Sequence, residues 1–163
     1  MTQRRQHKLI LVGNGGEGKT VFIQRLLRER FEKRYLPTPT NTRVYPIEFI
    51  RNDEPFVFNI WDIGGQSVLK DFTADYTGAD CAIIMLSDNK NGVKTLKTFQ
   101  NRINQYCGNI PTLILFNKCD LARTVENYDQ LIQTENNVLL CSAKNEFQLE
   151  SPFEKLMDMM HNN

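Results

Sequence analysis

The chain has 163 residues, 40% of them hydrophobic, and its 20 basic residues nearly balance its 19 acidic ones, for a net charge of +1. That length fits one domain whose core is large enough to fold without a disulfide or a structural metal. The balanced charge argues against a general electrostatic surface for nucleic acid or for an anionic membrane.

Six short apolar runs alternate with helical patterns along the chain. A seven-residue N-terminal extension, 1–7, precedes the first predicted strand; the six strands cover 8–13, 42–50, 56–61, 81–86, 112–117 and 137–142. The polar stretch 51–55 favours a hairpin between the second and third strands. Two helical stretches place their apolar residues on one face: Leu96, Phe99, Ile103 and Tyr106, and then Phe153, Leu156, Met157 and Met160. This alternation predicts a single α/β domain over 1–163, with a six-stranded, mostly parallel sheet and about five helices, that binds its ligand at the carboxyl ends of the strands.

The letters GNGGEGKT, from Gly13 to Thr20, follow the first predicted strand directly and fit the phosphate-loop pattern G-x-x-x-x-G-K-[ST]. In such loops the backbone amides wrap a phosphate chain, the lysine reaches the β- and γ-phosphates, and the last hydroxyl binds Mg²⁺. Lys19 is therefore predicted to be catalytic and Thr20 to be a metal ligand. The residues expected to contact the nucleotide here are Gly15, Gly16, Glu17, Gly18, Lys19, Thr20 and Val21.

The letters WDIGGQ, 61–66, stand at the end of the third predicted strand. Asp62 fits the carboxylate that holds Mg²⁺, directly or through a water. Gly65 would offer an unhindered backbone N–H to the γ-phosphate, and Gln66 is placed to orient an attacking water. D-x-x-G can also be an ordinary turn, so this motif depends on the others.

The letters NKCD, 117–120, close the fifth predicted strand. The Asp120 carboxylate would accept two hydrogen bonds, from a ring N–H and an exocyclic amine, which guanine presents and adenine does not. Asn117 would brace the neighbouring loops, and the stem of Lys118 would lie along the face of the ring. This motif therefore predicts a guanine nucleotide.

The tripeptide Ser142, Ala143 and Lys144 follows the sixth predicted strand, and all three are expected beside the base. The Ala143 amide would meet the guanine carbonyl oxygen. A tripeptide alone carries almost no information. Four elements in this order, each at the carboxyl end of a predicted strand, together predict a P-loop site for GTP or GDP with Mg²⁺.

Over nearly all of its length the chain resembles the Ras superfamily of small GTPases, and within it the Ran family. The stretches that carry the Ran likeness are RFEKRYLPT (30–38), DCAIIM (80–85), GNIPTLILFNKCDL (108–121) and the SAKN start followed by SPF (151–153). The resemblance implies that the domain hydrolyses GTP slowly and acts as a molecular switch. It also implies GTPase-activating and exchange factors as partners, and a link to nucleocytoplasmic transport through importin-type carriers.

The resemblance implies three more nucleotide contacts, in the first switch. Phe31 would stack against guanine, Tyr35 would close over the γ-phosphate, and Thr38 would sense both Mg²⁺ and the γ-phosphate. Thr38 follows Thr20 by eighteen residues, as in the family. Gly15 occupies the loop position where a side chain would crowd the transition state, so catalysis is not blocked there.

Other features depart from Ran. Pro39 follows the switch threonine, Ile63 and Gly64 resemble the Arf and Gα pattern, and QTENN, 133–137, replaces a basic run. Position 36, where Gα proteins carry an arginine, is a leucine, so an activating partner is implied. These differences bear on the recognition of carriers and regulators more than on nucleotide binding.

Two alternatives stay open at this point. The first is a GTP-dependent binding module with little turnover, which Pro39 favours and which the intact Gly15 and Gln66 oppose. The second is an Arf- or Rab-like trafficking switch, which WDIGGQ favours and which the absence of a lipidation motif opposes. The four widely spaced cysteines suggest buried thiols in a reducing compartment. We expect a monomer in the cytoplasm, the nucleus or both, without a membrane anchor in this chain and without nucleic acid as a partner.

Overall fold

The computed structural model of the chain describes residues 4–30, 42–64, 72–87 and 92–162. Within these ranges the strands are β1 (Arg5–Val12), β2 (Arg43–Arg51), β3 (Glu54–Asp62), β4 (Cys81–Leu86), β5 (Thr112–Phe116) and β6 (Val138–Leu140). The helices are α1 (Lys19–Arg30), α2 (Thr73–Tyr76), α3 (Gly92–Cys107), α4 (Ala122–Leu131) and α5 (Ser151–His161). None of the described helices is long and apolar enough to cross a membrane.

The strands form one sheet in the order β2-β3-β1-β4-β5-β6. The β1 strand pairs in parallel with β3 on one side and β4 on the other, and β2 is antiparallel to β3. The order of the chain therefore reverses at β1, and ligands of open α/β sheets bind at such a reversal, beyond the carboxyl ends of the strands. The predicted α/β class, with six mostly parallel strands and five helices, is confirmed.

The first strand begins earlier than predicted, at Arg5 instead of residue 8. Residues Arg5, Gln6 and His7, which the sequence assigned to an extension, pair with Phe56, Val57 and Phe58 of β3. The His7 ring stacks on that of Phe56, with centroids 4.4 Å apart. The sequence did not predict this part of the strand because its side chains are polar. Backbone pairing and one aromatic contact hold it in the sheet without an apolar run.

The predicted hairpin is present, with a shorter loop than the 51–55 stretch suggested. Only Asn52 and Asp53 separate β2 from β3, and both have a positive φ, 51° and 61°. A two-residue turn with left-handed backbone at both positions matches the right-handed twist of the strands, and Asn and Asp tolerate it.

Apolar side chains cover both faces of the sheet. One cluster joins it to α1 and α5 through Phe22, Phe153 and Leu156, and the other joins it to α3 through Phe99 and Ile103. The two apolar faces predicted from the sequence thus contact the sheet. With β4 buried along its whole length, the carboxyl ends of the central strands are held in fixed positions from which the loops emerge.

Candidate functional site

The loop after β1 is seated against the ends of the central strands through its glycines. A Cβ atom on Gly13 would lie 2.5 Å from the Met85 carbonyl oxygen, and one on Gly18 would lie 2.4 Å from Nδ2 of Asn117. Gly16 and Gly18 also have positive φ values, 84° and 91°. Any larger residue at Gly13 or Gly18 would push the loop away from β4 or β5.

The Lys19 ammonium closes this loop on itself. The side chain is 7% exposed, and its Nζ donates to the carbonyl oxygens of Gly13 at 2.8 Å and Asn14 at 2.9 Å. Burial lowers the pKa of Lys19, while the negative charges of Asp62 and Glu17 act in the opposite direction. An ammonium has three donors, so one is available to an anion at the mouth of the loop.

Thr20 and Asp62 bring oxygen ligands together beside Lys19. The Thr20 hydroxyl donates to Oδ2 of Asp62 at 3.0 Å, and Asp62 lies opposite Leu11 in the parallel β1–β3 pair. Burial raises the pKa of Asp62, against the Thr20 hydrogen bond and the charges of Lys19 and Arg43. A hydroxyl and a partly desolvated carboxylate are oxygen ligands suited to Mg²⁺, so this donor set fits the predicted metal.

Asn117 joins three separate segments of the chain. Its side chain is 2% exposed; Nδ2 donates to the Glu17 carbonyl oxygen at 2.8 Å, and Oδ1 accepts from the Ala143 amide at 3.0 Å. Its own amide donates to the carbonyl oxygen of Leu86 at 2.8 Å. The phosphate loop, the loop after β5 and the loop after β6 are therefore braced by one side chain, as the sequence leads one to expect of Asn117.

Lys118 adds a second bridge to the phosphate loop. It has a positive φ of 65°, and its Nζ donates to the Gly16 carbonyl oxygen at 2.7 Å. The four-carbon stem therefore runs from the loop after β5 to the phosphate loop. The sequence predicts that this stem follows the face of a bound base.

The Asp120 carboxylate is exposed and oriented from one side. Its Oδ1 accepts from the Ser142 hydroxyl at 2.8 Å, and Ser142 is 1% exposed. The same hydroxyl accepts from the amide of Asn145 at 3.2 Å. A buried serine therefore fixes one carboxylate oxygen of Asp120, in the loop that follows β5.

The tripeptide after β6 departs from its predicted geometry at one atom. The Ala143 amide, expected to meet the guanine carbonyl oxygen, donates to Asn117 instead, and Ala143 is 2% exposed. Contact with a base would require this amide to share or exchange its partner. Lys144 is exposed at the surface of the same loop.

The remaining predicted residues fall into two groups. Gly15 and Gly16 are exposed at the loop surface, and Val21 on the first turn of α1 is 46% exposed. Five predicted residues lie outside the described residues: Phe31, Tyr35, Thr38, Gly65 and Gln66.

Two polar contacts at the phosphate loop were not predicted from the sequence. The Ser87 hydroxyl, directly after β4, donates to a carboxylate oxygen of Glu17, and the Asn14 side chain donates to the Thr95 hydroxyl of α3 at 3.2 Å. The position of Ser87 at the carboxyl end of a predicted strand was a usable signal. Thr95 lies inside a helical pattern, where nothing distinguishes it from a core threonine.

Comparison with known families gives an independent match. Residues 8–120 match the family model described as "Ras of Complex, Roc, domain of DAPkinase". The matched range covers well over half of the chain and includes the loop after β1, Asp62 and the Asn117–Asp120 loop. It stops before Ser142.

Proposed function

Because the chain belongs to the Roc family of Ras-superfamily GTPase domains, we propose that it binds GTP and GDP with Mg²⁺ and hydrolyses GTP to GDP and phosphate. Its family supports a GTP-binding switch. One observation carries the proposal further: the side chain of Asn117 hydrogen-bonds both to the phosphate loop and to the loop after β6. These two hydrogen bonds hold the phosphate loop beside the loops after β5 and β6, which supports a site that takes both a phosphate chain and a base.

The base end supports a preference for guanine. Asp120 has one oxygen held by Ser142, which leaves the carboxylate oriented to accept from the ring N–H and the exocyclic amine of guanine. Adenine has neither donor in that arrangement. The hydrogen bond of Lys118 to Gly16 keeps the base loop beside the phosphate loop.

The phosphate end supports binding of a polyphosphate. Lys19 would donate to the β- and γ-phosphate oxygens, and Thr20 and Asp62 would hold Mg²⁺, with Thr38 added from the first switch. Bound Mg²⁺ would supply positive charge that offsets the charge developing on the phosphates. Gln66 is proposed to orient the attacking water, with its amide and the Gly65 N–H acting close to the γ-phosphate.

The proposal predicts slow turnover. With leucine at position 36 instead of an arginine, the rate without a partner is expected to be about 10⁻⁴ to 10⁻³ s⁻¹. An activating protein would raise this rate, and an exchange factor would speed the release of GDP so that GTP can bind again. Catalysis would then be mainly electrostatic, with Lys19 and the loop amides bearing the developing charge.

The experiment is single-turnover hydrolysis of GTP, preceded by titration of GTP and GDP binding. We expect Gln66→Leu to leave GTP affinity nearly unchanged and to lower the hydrolysis rate by about tenfold or more. Gln130→Leu, at an exposed position of α4, is the matched control and should hydrolyse like the wild type. Equal, negligible hydrolysis by wild type and Gln66→Leu, even with an activating protein present, would instead favour the GTP-dependent binding module.

The narrower likeness to Ran rests on sequence motifs alone, chiefly 30–38 and 108–121. On that basis we propose a monomer in the cytoplasm or nucleus whose GTP form binds importin-type carriers. The polar stretch 133–137, in place of a basic run, predicts weaker carrier binding than that of Ran itself. Capture of an importin-type carrier by Gln66→Leu loaded with GTP, but not with GDP, is the expected result. Equal capture in both states, or none, would remove nuclear transport and leave the GTPase assignment intact.

A further inference from the structure

Glu17 places a buried acid inside the phosphate loop. It is the only acidic residue between Gly13 and Thr20, and it is 2% exposed. A carboxylate oxygen accepts a hydrogen bond from the Ser87 hydroxyl, itself 4% exposed. Acidic side chains are almost never so deeply buried unless they are paired, so both the position and the partner of this group call for an explanation.

Hydrogen bonds hold both the backbone and the side chain of Glu17. The Glu17 carbonyl oxygen accepts from Nδ2 of Asn117 at 2.8 Å, which fixes the backbone at this residue. Ser87 holds the side chain from the end of β4. The carboxylate is therefore held in place before any nucleotide arrives.

The charge of Glu17 reaches the ammonium of Lys19. It is one of the two negative charges that act against the lowering of the Lys19 pKa by burial. Lys19 is also the side chain proposed to bind the phosphates. A charge that attracts this ammonium repels phosphate oxygens placed beside it, and burial limits screening by water and salt.

We propose that the buried Glu17 carboxylate weakens the hold of the phosphate loop on GDP and GTP, so that GDP leaves faster than it would with a neutral residue at this position. The inference rests on the proposed function, since it concerns the same nucleotide site. Its physical basis is a fixed negative charge, held by Ser87, in a loop whose other residues are neutral or basic. Glu17 is thus a residue that sets affinity, and it takes no part in the chemical step.

The test is the rate at which fluorescent GDP, bound with Mg²⁺, leaves the protein when excess unlabelled GDP is added. Glu17→Gln keeps the shape of the side chain and removes its charge, and we expect release to become about tenfold slower. The matched control is Glu54→Gln, an exposed residue that begins β3. Eight strand positions separate it from Asp62, or about 26 Å, so release should match the wild type.

Ser87→Ala separates charge from structural support. It leaves the Glu17 charge in place but removes the hydroxyl that donates to it, so we expect faster GDP release, opposite to Glu17→Gln. If Glu17 only braced the loop through Ser87, both substitutions would loosen the loop and both would speed release. Faster release from both variants would therefore overturn the proposal.

Melting temperatures without nucleotide accompany each rate. Glu17→Ser, a smaller neutral residue, is tested beside Glu17→Gln, and slower release from either folded variant supports the proposal. Unchanged release from folded neutral variants would overturn it, as would loss of folding in both, since Glu17 would then be a structural residue. If the wild type bound no GDP at all, the proposed function itself would fail, whereas normal GDP binding with unaltered rates would sink this inference alone.

Discussion

The base end and the phosphate end of the proposed site satisfy their polar groups in different ways. At the base end, the buried side chains of Asn117 and Ser142 are hydrogen-bonded to backbone groups and to Asp120. At the phosphate end, Lys19 is held by loop carbonyl oxygens, and Thr20 donates to Asp62. Burial lowers the pKa of Lys19 and raises that of Asp62, so it favours the neutral form of both groups.

This difference indicates how specificity and ligand-dependent stability are divided. At the base end the Asp120 carboxylate is already held by Ser142 before the ligand binds, so base selection there needs only the Ala143 amide to share or exchange its Asn117 partner. The phosphate end keeps partly desolvated charges whose burial is unfavourable until an anion and a cation compensate them. Binding should therefore stabilise the protein mainly through the phosphate end, by mass action on the folded state.

The largest expected effect comes from inverting the base end at Asp120. Asp120→Asn exchanges an acceptor for a donor, so guanine should lose its advantage and xanthine nucleotides should gain one. For the wild type, we expect ATP to bind at least about 10⁴-fold more weakly than GTP, because adenine presents an acceptor where guanine presents the ring N–H that Asp120 would accept. Competition titrations with GTP, XTP and ATP measure this preference, and Asp129→Asn, at an exposed position of α4, serves as the control.

Comparable ATP and GTP affinities in the wild type would contradict the guanine assignment. Retained GTP preference in Asp120→Asn would show that base selection lies elsewhere. Either result would contradict the proposal that the base end provides the specificity of the site.

The second effect is on folding, through the brace at Asn117. Asn117→Ala would leave the Glu17 carbonyl oxygen and the Ala143 amide without their partner in a buried place. Each unpaired group costs about 1–3 kcal/mol, so we expect a loss of about 2–6 kcal/mol in the free energy of unfolding. Urea unfolding without nucleotide measures it, with Asn104→Ala on the exposed face of α3 as the control. A loss below about 1 kcal/mol would mean that the two loops hold their places without this side chain.

The sequence predicted those site residues that can be identified from their residue type and their position at the end of a strand. Lys19, Thr20, Asp62, Asn117 and Asp120 belong to motifs whose spacing places them at one edge of a parallel sheet. The contacts of Glu17 with Ser87 and of Asn14 with Thr95 join residues 70 and 81 positions apart, and no local pattern carries such pairs. For the same reason the Asn117 partner of the Ala143 amide was not foreseen, because it depends on how the two loops approach each other.

The fold shows the same division between local and long-range causes. Apolar runs identified the six strands of the described residues, most clearly β4 and β5, whose residues are almost all buried between the two faces. The start of β1 at Arg5 escaped notice because its pairing with Phe56 uses backbone groups that every sequence possesses. Both turn residues of the hairpin, Asn52 and Asp53, are types that accept left-handed backbone, yet the sequence alone did not limit the loop to them.

The smallest effect concerns the charge at the phosphate end and is read from pH. Because burial raises the pKa of Asp62, the folded protein keeps a proton there at pH values where the unfolded chain has lost it. This contribution to stability is therefore present at low pH and is lost as the pH rises from the ordinary value of 3.8 through the raised one. Asp62→Asn does not titrate at this position. Without Mg²⁺ or nucleotide, its melting temperature should therefore rise relative to that of the wild type as the pH increases from 4 to 7.

The pH trend is the informative quantity, because Asp62→Asn also removes a negative charge that favours the Lys19 ammonium. That loss lowers the stability of the variant by an amount that should vary little below pH 7, where a lysine stays protonated unless its pKa is strongly shifted. Asp53→Asn, in the exposed hairpin turn, makes the same chemical change away from the site and corrects for the general titration of carboxylates. With Mg²⁺ and GDP added, the wild type should be stabilised more than Asp62→Asn, because only the wild type has the carboxylate proposed to bind the metal. A difference that stays flat with pH, together with equal stabilisation of both proteins by Mg²⁺ and GDP, would show that the two ends of the site do not differ as proposed.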